Sequence, residues 1–98
     1  MKDNAEQTLE QLRNLQSILE QLYKARLKGV FGSYARGEQH TGSDVDILVE
    51  FQEGATLFDL VNLQYFLEEQ LAKKVDIVSE RAVRPEIKSS IYNDLVLV

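Results

Sequence analysis

The stretch Ser43-Asp44-Val45-Asp46-Ile47-Leu48-Val49-Glu50-Phe51 decides how the rest of the chain is read. Val45, Ile47, Val49 and Phe51 fall on one side of an extended segment, and Asp44, Asp46, Leu48 and Glu50 on the other. That alternation is the mark of a strand with one face against a core. Residues two apart on a strand point the same way, with Cα atoms about 6.5–7 Å apart. Asp44 and Asp46 therefore project together while Val45 and Ile47 anchor the opposite face. Downstream, Val75-Asp76-Ile77-Val78 has the same setting, an acid between inward-facing apolar residues. If the two strands are neighbours, three carboxylates meet. Two unit charges ~5 Å apart repel by roughly 3 kcal/mol at an effective dielectric of about 20. Against a net stability of about 5–15 kcal/mol, such a cluster calls for a cationic partner. All-oxygen ligation that leaves positions open for phosphate points to magnesium or manganese. On spacing alone an ordinary reading stands beside this one: Asp44 caps a turn, Asp46 is a solvated strand residue and Asp76 is unrelated.

Upstream, Gly29 breaks a helical pattern, and Val30-Phe31 reads as a short buried strand running into Gly32-Ser33. A Gly-Ser turn entering a short helix offers backbone N–H groups and a hydroxyl to an anion, and Arg36 adds a charged fork for phosphate. No Gly-Lys-Ser/Thr follows, so the turn is not a P-loop. Tyr34 to Ser43 is expected to be a helical turn and then a loop. From about Asn4 to Lys24, Leu9, Leu12, Leu15, Leu19 and Leu22 recur with helical period and predict one buried stripe. Beyond Gly54, Thr56 caps a helix with Asp59 in its first turn, and Leu57, Leu60, Val61, Leu67 and Leu71 form its apolar face. Pro85 opens a last helix to about Tyr92, and Leu95 to Val98 is a terminal strand. The order α-β-(turn)-β-α-β-α-β predicts a small two-layer α/β (α+β) domain, with a short mixed sheet packed against helices.

The totals narrow the chemistry. Ninety-eight residues make one domain, 1–98, with no second lobe for an acceptor substrate. With 44% hydrophobic and 28% charged residues the chain is an ordinary globular sequence. The longest apolar run, Leu95 to Val98, is too short for a membrane span, and Met1-Lys2-Asp3-Asn4 has no signal-like apolar segment. A cytoplasmic home is the expectation. Cysteine is absent, which removes thiolate chemistry and Cys-type zinc sites. The single His40 is expected to be solvated in its loop. Acids outnumber bases 16 to 11, for a net charge of −5, so nucleic acid is disfavoured as a direct ligand. Tyr34 is expected to pack over the phosphate turn, and Tyr23, Tyr65 and Tyr92 to be core or half-buried on their helices.

Gly32-Ser33-Tyr34-Ala35-Arg36-Gly37-Glu38 followed by Ser43-Asp44-Val45-Asp46-Ile47-Leu48-Val49 resembles the signature of the DNA polymerase β-like nucleotidyltransferase superfamily. The likeness is to its minimal nucleotidyltransferase (MNT) branch, the antitoxins of HEPN/MNT toxin–antitoxin systems. It covers roughly Lys28 to Val98, including Thr56-Leu57-Phe58-Asp59-Leu60 and Lys74-Val75-Asp76-Ile77-Val78. The resemblance implies that AMP passes from ATP to tyrosine hydroxyls of a cognate HEPN ribonuclease toxin, neutralising it. It implies that Gly32 and Ser33 hold the nucleotide phosphates and that Arg36 touches phosphate. Asp44, Asp46 and Asp76 match the catalytic, metal-holding carboxylates, with two Mg2+ ions (or Mn2+) as cofactor and ATP as substrate. Asp76 also matches the position that activates the attacking hydroxyl. Homo- or hetero-oligomers are left open. Two alternatives remain: neutralisation by stoichiometric binding alone, and transfer to a small-molecule hydroxyl.

Overall fold

The computed structural model describes residues 5–40 and 42–98. The chain runs α1 (Ala5–Tyr23), β1 (Ala25–Phe31), α2 (Ser33–Arg36), β2 (Val45–Phe51), α3 (Leu57–Leu71), β3 (Val75–Ser79), a 3-10 turn (Glu80–Ala82), α4 (Pro85–Asp94) and β4 (Val96–Leu97). The strands form one sheet in the order β3-β2-β1-β4. β2 and β3 run parallel, and β1 is antiparallel to both β2 and β4. The expected mixed sheet is therefore present. The expected first helical residue, Asn4, and Thr41 of the loop lie outside the described residues.

The alternation read in β2 is obeyed. Val45, Ile47 and Val49 are fully buried and join Leu12 and Leu19 of α1 and Leu63 and Leu67 of α3 in the main core. Tyr23 and Phe66 add a tilted ring pair, centroids 5.2 Å apart, between the two helices. On the other face Leu48 is also fully buried, against Val83 and Ile91, with Phe31, Val78 and Leu95 around them. A residue placed by period on the polar side is thus apolar because α4 closes over the middle of that face. α3 starts as its sequence predicts: the Thr56 N–H donates to Asp59 Oδ2 at 2.8 Å, one half of a capping box.

Three expectations fail. β1 begins at Ala25 and not Val30. Gly29 lies inside the strand beside a register shift, where a Cβ would overlap the Val96 carbonyl oxygen and meet Leu95 Cδ1 at 2.9 Å. The glycine marks close approach of β4, which sequence alone cannot separate from a break. Next to it, Gln16 of α1 turns its amide onto Leu27, accepting from the N–H at 2.8 Å and donating to the C=O at 3.1 Å as another strand would. Leu22, Leu57 and Val61 were expected in the apolar faces of their helices, yet all three are exposed, Leu57 at 73%. Leu63 is the buried residue that α3 presents instead. Tyr65 and Tyr92, expected to be core or half-buried, are both exposed, and the Tyr92 hydroxyl donates to Glu80 Oε2. Tyr34 is buried, as expected. Among the described residues no helix is long and apolar enough to cross a membrane.

Candidate active site

The sheet register decides whether the acids meet. Asp46 pairs with Asp76 across the parallel β2/β3 ladder, and with Phe31 across the antiparallel β1/β2 ladder. Neighbouring strands lie about 4.8 Å apart, so Asp46 and Asp76 stand side by side. The Val45 N–H donates to the Lys74 carbonyl at 2.9 Å, which starts the two strands together. Asp44 sits one step before β2, exposed at the same edge, and Asp46 is half-buried. The conditional drawn from spacing is met: the strands are neighbours.

Electrostatics report the same gathering. Burial pushes the Asp46 carboxyl above the usual aspartate range, and the charges of Asp76 and then Asp44 push it further. The Arg36 guanidinium pulls the other way. Asp46 therefore feels both other carboxylates and the arginine. Among the described residues no three acidic or imidazole side chains are drawn in tightly enough to enclose an ion.

Phe31, the partner of Asp46, ends β1 immediately before the Gly-Ser turn. Gly32 has φ +74°, a conformation that side chains disfavour, and a Cβ on it would overlap Asp46 Oδ2. The carboxylate thus lies directly against the turn, in space only glycine leaves open. Ser33 begins α2, whose early N–H groups are those a helix cannot satisfy from within. The turn is held closed by Arg36 N–H to Gly32 C=O at 3.1 Å and Glu38 N–H to Ser33 C=O at 2.9 Å. An all-oxygen donor set beside a glycine cradle fits a hard divalent cation.

Arg36 is placed differently from the other five. Its Nε donates to Glu38 Oε1 and its Nη1 to Asp94 Oδ2, both at 2.7 Å. The phosphate fork expected from sequence is engaged with two carboxylates, and Asp94 ends α4. Glu38 was visible two residues away. Asp94 gave no signal, being 58 residues distant. His40 lies in the exposed loop, where its N–H donates to Ser43 Oγ at 2.9 Å.

The sheet thus carries the Asp46/Asp76 pair with the Gly-Ser turn laid against the Asp46 carboxylate. Residues 12–98 match the nucleotidyltransferase domain family, and the chain belongs to it. A Methanocaldococcus jannaschii protein, provisionally named a protein adenylyltransferase, is 54% identical over 68% of this chain and 72% of its own. A solved structure provisionally described as a minimal nucleotidyltransferase superposes with TM-score 0.82 at 38% identity, covering 98% of this chain and 97% of the other. A crystal structure of a toxin–antitoxin with AMP-PNP superposes with TM-score 0.59 at 29% identity, over 84% of this chain and 61% of that one.

Proposed function

We propose that this nucleotidyltransferase is an antitoxin and a protein adenylyltransferase, moving AMP from ATP to a tyrosine hydroxyl of a HEPN-type ribonuclease toxin. The observation that carries the reading is the register that sets Asp46 beside Asp76, with Gly32 against the Asp46 carboxylate. The relative named for protein adenylylation and the toxin–antitoxin neighbour with AMP-PNP support acceptor and donor.

In this reading Gly32 and Ser33 hold the triphosphate through backbone N–H groups and the Ser33 hydroxyl. Asp44, Asp46 and Asp76 would hold divalent magnesium through their carboxylate oxygens. The bound metal supplies neutralisation of phosphate charge and acidification of the hydroxyl. Asp76 takes the tyrosine proton, the tyrosine oxygen bonds to the α-phosphorus, and the α–β bridging P–O bond breaks to release pyrophosphate. In-line transfer of this kind rests on positioning and charge, which is what the turn and carboxylates provide.

The test is incubation with ATP, magnesium and the HEPN-type protein encoded beside it. Mass spectrometry should find AMP on a toxin tyrosine. Asp46→Asn and Asp44→Asn should each lower the rate at least about 100-fold. A toxin left unmodified, yet silenced equally well by Asp46→Asn, would establish neutralisation by binding alone. Full transfer by both variants would move the site elsewhere.

A further inference from the structure

The carboxylates around Arg36 differ in origin. Glu38 belongs to the loop that follows α2, whereas Asp94 arrives from the far end of α4. Each makes a charge-assisted bond of 2.7 Å, short for an N–H···O contact. A guanidinium has five N–H donors in one rigid plane, and these bonds use one on Nε and one on Nη1. With two points of the plane fixed, its orientation is fixed, and donors remain for another anion. Arg36 is the last residue of α2, which Gly32 precedes as N-cap and Ser33 begins, and its charge is felt by Asp46.

We infer that Asp94 is a positioning residue for nucleotide binding: from the C-terminal end of α4 it holds the Arg36 guanidinium so that its remaining donors meet the phosphates of the nucleotide. The inference rests on the reading of the Gly32-Ser33 turn as the phosphate site. A long arginine side chain loses rotamer freedom when it binds phosphate, and Asp94 removes that loss in advance. The alternative has the opposite sign. A carboxylate near a polyphosphate repels it and competes for Arg36, so deleting Asp94 would then tighten binding. That repulsion weakens as salt rises, whereas preorganisation survives.

The experiment measures AMP-PNP binding with magnesium by calorimetry, so no acceptor protein is needed. Asp94→Asn should raise the dissociation constant roughly three- to tenfold, from the entropy of one immobilised side chain. Asp94→Glu should recover part of the loss. In an Arg36→Ala background Asp94→Asn should have no further effect, because its influence passes through Arg36. A general weakening of α4 would instead lower the thermal midpoint equally in both backgrounds and spare neither. In transfer assays the change should appear in KM for ATP and leave kcat within about twofold. Wild-type protein that binds nucleotide, beside an Asp94→Asn variant that binds equally or more tightly, overturns the inference alone. Wild-type protein that binds no AMP-PNP overturns the phosphate site and this inference with it.

Discussion

On the face of the sheet covered by α1 and α3, Val45, Ile47 and Val49 meet Leu12, Leu19, Leu63 and Leu67, and solvent reaches none of the seven. On the opposite face Leu48 has, among the described residues, only Val83 and Ile91 as buried companions, and the neighbouring strand positions carry Asp46 and Asp76. The first face is finished as a core, where every side chain gains from leaving water. The second is finished only under α4. Beyond that cover it places charges whose repulsion opposes folding, at the edge where a nucleotide would bind. The same strand thus buries its odd positions in one core and Leu48 in the other, and leaves Asp46 at the part of the second face that α4 does not cover.

Substitutions on the two faces should separate these contributions. The largest effect belongs to the closed face: Leu67→Ala should cost about 2–5 kcal/mol in chemical denaturation, with Ile91→Ala near the bottom of that range because its site is open to relaxation. Equal losses would mean that α4 seals its face as completely as α1 and α3 seal theirs. Next comes Gly32→Ala, which forces a side chain into positive φ and onto the Asp46 carboxylate. It should cost about 1–2 kcal/mol and lower transfer by about 100-fold, since small displacements at a reacting centre are felt strongly. A variant with normal transfer would show that the turn and Asp46 do not act together.

A smaller change of opposite sign is expected from Asp46→Asn with chelator present. Because the folded protein holds the Asp46 proton more tightly than the unfolded chain does, ionisation of Asp46 costs stability. That cost is absent below the ordinary aspartate pKa of ~3.9, grows as pH rises from there, and is complete above the raised folded value. The variant should therefore be more stable than the parent at pH 7, by about 1 kcal/mol or less after solvent screening, and equal to it in acid. Thermal melts across pH read the difference directly. The smallest effect should come from Phe58→Ser, which removes a side chain 81% exposed on α3. Its stability should stay within about 0.5 kcal/mol of the parent, and a larger fall would show that this surface is covered in solution.

Much of this was legible in the chain because the informative signals are local. The β2 alternation placed Val45, Ile47 and Val49 inward. The Thr56/Asp59 pair marked the start of α3, and Pro85 the start of α4. Gly32, Ser33, Asp44 and Asp46 could be singled out from one short stretch. Other positions could not be read correctly. Gly29 looks like a break because the approach of β4, which makes glycine necessary there, is invisible in sequence. Leu57 and Val61 fit a helical stripe, but the buried line of α3 runs through Leu63, Leu67 and Leu71. Arg36 could be chosen as a cation near phosphate, but not as one already held by Asp94.

By itself the sequence determined which way each residue faces within its own helix or strand, because side-chain direction repeats with the period of the backbone. It also limited the chemistry to oxygen donors, having one histidine and no cysteine. The tertiary structure decided which elements lie side by side: Asp76 next to Asp46, Asp94 on Arg36, and Leu48 beneath α4. Those pairings depend on sheet order and helix docking, set by the sum of many weak contacts between distant segments, and no local pattern encodes that sum.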